Sequence, residues 1–320
     1  MKVESNINFI KSWNSGFSDS LNLKLVDELF IEGNFNFQSY RMIAPWHPIL
    51  FSSKLRESFE RKEYSNLNKY NNMYCLICIP EKDLYKYSKT NLTKDNLFIH
   101  FINIENKTCE ELFKKFKYNV RREIKLGLKK FNFLKIKTSY DFEKNKVKIR
   151  ELIVKQHMIF LSPCPPFELI ESLYYKNALD IYIAKYGEEV VAFSSLSKDK
   201  NIVQIAWTAK DLNYKKFNLD LAFNYFCLKE SIKNKAKILS LGTSSRNSLS
   251  KFKEKLNPEK GLLVKSKLFF KNDYTNFQYM KSQRNKINLI LMKIFLKFII
   301  FIFGTSGFEF ISRQVWKRFD

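Results

Sequence analysis

Between residues 179 and 270 the chain places short apolar runs and turn signals in an order that few folds accommodate. Residues 181–185 alternate, turn at Tyr186, Gly187 and Glu188, and pair back through 190–196 as a hairpin. A second turn at 198–201 leads into a third strand, 202–208. Residues 219–233 switch to helical spacing, with Leu221, Tyr225, Leu228 and Ile232 on one apolar face. A buried strand, 237–241, ends at Gly242. Ser248 or Ser250 is expected to cap a short helix containing Phe252 and Lys253, and 261–270 returns as a last strand. A strand meander, a helix, a strand, a short helix and a strand predict a mixed sheet covered by helices. No spaced metal cluster, phosphate loop or nucleophile triad competes with this block.

The remainder of the 320 residues allows one large domain or two small ones. Apolar content of 45% places the chain in the globular class. Lys, Asn, Ile and Phe dominate, which points to codon bias toward A and T. The net charge of +24 has two readings: an anionic partner, or a Lys-rich solvated surface. The charge recurs along the whole chain instead of forming one arm, which argues against dedicated DNA binding. Of five cysteines, Cys75 and Cys78 form a single CxxC inside an apolar run that reads as a buried strand, so they are expected in the core. The odd cysteine count and the absence of a signal-type core in residues 1–20 favour a reducing compartment, the cytoplasm.

Upstream, 21–30 reads as a helix, 35–42 as a strand and 48–61 as a second helix. Strands follow at 73–79 and 97–104; the second is apolar on both faces apart from His100 and Asn103, so it is expected to be central. A charged helix spans 108–130 with a break near Gly127, then a strand at 131–138 and a helix at 144–159. The prolines of 162–166 cannot continue that helix, and a new one runs over 167–176. At the far end, 287–303 is almost continuously apolar, with Lys293 and Lys297 four apart on one helical face. It reads as a basic amphipathic helix on a membrane, as a helix docked over the core, or as a transmembrane span, for which two internal lysines make it marginal.

Three features in order carry a family resemblance. Tyr118-Asn119-Val120-Arg121-Arg122, followed by Gly127-Leu128, forms an Arg-rich helix. The hairpin 181–196 has a small residue, Ala192, just past its turn. Leu241-Gly242-Thr243-Ser244-Ser245 then precedes the pair Phe252-Lys253. Over roughly residues 110–275 the chain resembles the GNAT-like acyltransferase fold, in its FemAB-type branch with the polysaccharide-cluster acetyltransferase-like proteins. The resemblance implies a mixed α/β (α+β) fold of tandem GNAT-like domains, each a mixed sheet flanked by helices. Residues 1–110 would form a degenerate first domain, 111–275 the acyltransferase domain and 276–320 a basic amphipathic helical tail. It also implies a bacterial transferase moving an acyl or aminoacyl group to an amine, on an amino sugar or cell-surface glycan precursor. The donor would be acyl-CoA or aminoacyl-tRNA, with no metal. One departure stands out: residues 211–218, where acetyl-CoA users carry a glycine-rich pyrophosphate loop, contain no glycine. Lys215 and Lys216 can still pair with phosphate, and the helix start at Asn218 can offer backbone N–H groups.

Amide formation needs a neutral amine, a polarised carbonyl and a fixed donor for the oxyanion. Lys253 is the candidate for transition-state charge, and His157, whose class titrates near neutrality, for general base. Ala206, Trp207 and Thr208 are the expected strand edge, with Trp207 able to stack or to pack. Arg121 and Arg122 suit substrate phosphate, and Ser244, Ser245 and Phe252 the acceptor. His47 lies in a loop context that can face a cleft, and His100 reads as core. The competing class is an RNA- or tRNA-binding module without catalysis, which the charge and the interleaved Phe and Lys suggest. The location expected is the cytoplasm, with peripheral contact at the inner membrane face through 287–303.

Overall fold

A computed structural model describes residues 98–197, 202–244, 247–266 and 286–319, together with strands at 24–25, 30–35, 40–45, 74–80 and 278–279. The central meander is β7 (Leu179–Tyr186), β8 (Glu189–Ser197) and β9 (Ile202–Lys210), all antiparallel. Tyr186 pairs with Glu189, so the β7–β8 turn is the two residues Gly187 and Glu188, and Gly187 takes the positive φ of 59° that such turns require. β6 (Asn132–Lys135) adds to the free edge of β7. On the other side, β10 (Ile238–Ser244) runs parallel to β9. Beyond it come β5 (Phe98–Asn103) and β11 (Glu259–Ser266), then β4 (Tyr74–Pro80), β3 (Tyr40–Pro45), β2 (Phe30–Phe35) and β1 (Lys24–Leu25). A two-residue strand, β12 (Gln278–Tyr279), also pairs with β11. Among the described residues the result is one mixed sheet of twelve strands.

Helices cover both faces. On one lie α1 (Cys109–Lys114), α2 (Tyr118–Lys130), α5 (Leu219–Lys233) and α6 (Asn247–Glu254), with Val120, Ile124, Leu221 and Leu228 in one cluster with Tyr182, Val191 and Leu239 of the strands. On the other lie α3 (Ser139–Phe160), α4 (Phe167–Tyr175) and α7 (Lys286–Phe319), with Ile149, Leu152, Leu296 and Phe308 packed on Ile181 and Phe193. Reciprocal capping boxes, Thr108 with Glu111 and Thr138 with Asp141, start α1 and α3. Gly127 is the point where α2 meets α5: a Cβ there would sit 2.6 Å from the Ala222 Cβ.

Several expectations need correction. Residues 21–30 are not helical throughout, because Lys24 and Leu25 pair with Glu32 and Ile31 as a hairpin. The strand expected at 35–42 is two strands, β2 and β3. The 108–130 helix is two helices, and it breaks at 115–117, where the buried Phe116 turns inward, instead of at Gly127, which is mid-helix. α3 begins at Ser139 instead of 144, because the Thr138 box caps it. Ser248 and Ser250 lie inside α6, so neither caps it. The apolar tail helix continues past 303 to Phe319. The helix expected at 48–61, His47, the turn 198–201, residues 267–270 and Ser245 lie outside the described residues. β5 is buried on both faces, as expected of a central strand.

Candidate active site

β9 and β10 pair only over Ile202–Gln204 and Ile238–Ser240, although the strands continue to Lys210 and Ser244. The cause is written into both backbones. β10 is irregular between Ser240 and Gly242, where Gly242 takes φ 74°. β9 carries a bulge opposite Ser195, whose hydroxyl binds both the N–H (3.1 Å) and the carbonyl (3.3 Å) of Trp207. The two ribbons therefore part after their first three paired positions.

One side chain stands in for the departed strand. Asp211 donates its N–H to Val191 on β8, so by strand alternation Thr208 and Lys210 present theirs to the opposite edge. There the Gln156 carboxamide donates to the Thr208 carbonyl (2.9 Å) and accepts from the Lys210 N–H (3.2 Å). Gln156 comes from α3, and His157 follows it, with Nδ1 3.1 Å from Ser162 Oγ in the proline loop. Burial holds the His157 pKa below its ordinary value, against an opposing pull from the backbone at Ser162 and Pro163.

From the opposite face α6 delivers Lys253. Its Nζ donates to the Gly242 carbonyl at 3.0 Å, and the residue is only 8% exposed. Burial brings its pKa down to about 8, within reach of physiological pH. Phe252 packs against the core, so the aromatic half of the pair anchors α6 while the lysine turns to the parted strands. Beneath α6 runs a hydrogen-bonded chain. Ser250 donates its single hydrogen to Glu254 (3.2 Å), so His100 Nε2 must carry the proton it shares with Ser250 (3.1 Å). His100 Nδ1 is then the acceptor for the Ser244 hydroxyl (3.3 Å). His100 is fully buried. Burial first, and then the Lys253 and Lys260 charges against an opposing pull from Glu254, push its pKa down to about 4.

The structure thus brings Lys253 and Ser244 together and sets Trp207 and Thr208 on the parted half of β9, with Trp207 packed into apolar clusters. Arg121 is half-buried and Arg122 exposed near the start of α2, whose Glu123 pairs at 3.3 Å with Lys255, the residue just after α6. Lys216 is exposed beside Phe217, and Asn218 opens α5 with φ 61° and no side-chain cap. The first turn of α5 is crowded: Asp220 pairs with Lys210, and a Cβ at Gly127 would lie 3.0 Å from the Asn218 carbonyl. Sequence reasoning missed Gln156, Ser250 and Glu254, and it read His100 as plain core. The one available signal was a polar residue inside an apolar strand or helix face, and it says nothing of the partner.

No family model and no curated protein matches the sequence. Solved structures match it in fold. FemX is similar over 91% of this chain and 98% of its own, with a TM-score of 0.57 and 11% identity. A conserved protein of unknown function from Bacteroides thetaiotaomicron VPI-5482 is similar over 81% of this chain and 90% of its own, with a TM-score of 0.52 and 13% identity. At such identities the shared property is the fold. It is the mixed α/β, FemX-like architecture of helices on a mixed sheet.

Proposed function

We propose that the chain is an acyl- or aminoacyltransferase acting on an amine, and that the acceptor is an amino sugar of a cell-surface glycan precursor in polysaccharide biosynthesis. The observation that carries this reading is the parting of β9 from β10 with a buried lysine ammonium at the fork. The acceptor nitrogen attacks the donor carbonyl; a C–N bond forms and the C–S bond of a thioester, or the C–O bond of an aminoacyl ester, breaks. Lys253 donates to the oxyanion, a contribution worth about 3–4 kcal/mol for one such donor. Its lowered pKa suits it to give a proton to the departing thiolate or alkoxide. Ser244, held by His100, accepts from the acceptor N–H. His157 takes the amine proton. Arg121 and Arg122 bind acceptor phosphate, with Ser245, Phe252, Trp207 and Thr208 lining the acceptor side.

The donor is acyl-CoA or aminoacyl-tRNA, whose phosphates meet Lys215, Lys216 and the chain at Asn218. The glycine-free stretch 211–218 favours the aminoacyl ester over acyl-CoA, because a pyrophosphate is cradled best where glycines let the backbone approach it. The division into 1–110, 111–275 and 276–320 belongs to this proposal, as does a cytoplasmic location with peripheral contact through 287–303. A donor screen with acyl-CoAs and charged tRNAs against nucleotide-linked amino sugars tests it. Transfer that collapses in Lys253→Met supports the reading. Salt-steep binding to arbitrary RNA with no transfer from any donor replaces it with an RNA-binding module, the class favoured by the charge of +24.

A further inference from the structure

α7 is long and apolar enough over Ile290–Gln314 to cross a bilayer, yet its geometry forbids a straight crossing. At Gly304 the backbone takes φ 60°, ψ −148°, a conformation essentially confined to glycine, and the helix breaks into two arms. The second arm is fastened to the body. Phe308 and Ser312 are buried, Glu309 forms a two-pronged ion pair with Arg150 of α3 (2.7 and 3.1 Å), and Arg313 pairs with Glu168 of α4. Half of the apolar stretch therefore cannot enter a membrane as a rod.

The first arm is divided lengthwise. At 100° per residue, Met292, Leu296, Ile299 and Ile300 share the side that packs on the core of α3. Ile290, Leu291, Ile294, Phe295, Phe298 and Phe301 form a broad stripe on the other side, and Phe301 is 89% exposed. Lys293 and Lys297 fall between the two, along one border of the stripe. A contiguous apolar surface of this kind marks an interaction site. The lysine border selects the occupant. A second copy docked on the same stripe by a two-fold axis would oppose like charges, and each chain already carries +24. A lipid leaflet instead receives the stripe in its acyl boundary, while lysines at the edge reach up to anionic headgroups. Residues 286–320 hold six basic and two acidic side chains, which favours the same partner.

We infer that the first arm of α7 lies in the plane of one leaflet of an anionic bilayer, with Gly304 turning the chain back so that the second arm straps the anchor to α3 and α4. This deepens the peripheral location proposed above and is independent of the transfer reaction. Flotation of the full-length chain with vesicles tests it, comparing phosphatidylcholine alone with the same lipid containing about 30% phosphatidylglycerol. The wild type is expected to float with the anionic vesicles, and Phe298→Asp/Phe301→Asp to lose partitioning at least about tenfold with an unchanged thermal melt. Lys293→Gln/Lys297→Gln is expected to lose the anionic preference by a few-fold while retaining weak binding to both lipids. Flotation of the double aspartate variant equal to wild type overturns the inference. So does failure of the wild type to float, whether it is a dimer that the double variant dissociates or a monomer whose stripe resists hydrogen exchange without lipid. Transfer to a soluble acceptor, measured on the same double variant, is expected to be unchanged, so loss of anchoring and loss of catalysis read separately.

Discussion

α6 and the first arm of α7 break the same rule in opposite directions. Under α6 the fold draws a lysine and a histidine out of water, at 8% and 0% exposure. On α7 it leaves a row of phenylalanines in water. Charged side chains are rarely buried without a reason, and large contiguous apolar surface is rarely left open. The two departures also differ in how they are supported. The buried groups, one ammonium and one neutral imidazole, sit in a hydrogen-bonded network, Lys253 on Gly242 and His100 between Ser244 and Ser250. The exposed apolar row is bare on one side and firmly packed on the other, as a surface awaiting a partner requires.

The largest effect expected on this contrast comes from removing the buried charge. Lys253→Met should lower transfer about 10²–10³-fold and leave the melting temperature unchanged or raised, because an apolar side chain replaces a desolvated ammonium. A chain that loses stability and keeps its rate would show the lysine to be structural. Next comes pH, read on both buried groups. From pH about 8 to 10.5 the folded chain has released a Lys253 proton that the unfolded chain retains, so stability should rise while the rate falls. Between pH about 4 and 6.5 the unfolded chain binds a His100 proton that the folded chain refuses, so stability should fall as the solution is acidified. Each shift amounts to about 3 kcal/mol if fully expressed. Chemical denaturation across pH for wild type and His100→Gln checks it, and the acid limb should flatten in the variant.

A smaller effect is expected at the strand edge. Gln156→Ala leaves the Thr208 carbonyl and Lys210 N–H without their partner, a loss of about 1–2 kcal/mol in denaturant unfolding. Amide exchange at Lys210 should speed up with it. Smallest of all is Phe301→Ser, which should change stability by no more than about 0.5 kcal/mol, since the ring touches water in the folded chain. A larger loss would mean that the exposed row is part of the core.

The same contrast explains what could be read in the sequence. The meander was legible because its pairing is local: Gly187 closes β7 on β8 within two residues, and alternation sets the register. α5 was legible to the residue, from Leu219 to Lys233, through its apolar spacing. The lengths of apolar runs at 21–30 and 35–42 were ambiguous, since runs that short fit either period, and β-pairing decided them. The insertion of β5 between β10 and β11 joins segments far apart in sequence. The hydrogen-bond partners of His100 could not be read for that reason: one of them, Ser250, is 150 positions away. Lys253 was visible only through resemblance, because a lysine in so basic a chain carries no signal of burial. The apolar tail was visible, but its break at Gly304 was not, because one glycine in a hydrophobic stretch does not announce its dihedral angles.

α3 has one more consequence. Its 22 residues make a rod of about 33 Å. Arg150 on that rod clasps Glu309, and six residues further on, about 9 Å along the axis, Gln156 grips β9. Whatever surface seats α7 therefore also sets the tilt and height of the fork between β9 and β10. A substrate tethered to that surface would meet the reacting groups at a constant elevation, while one arriving from bulk water would gain nothing from the arrangement.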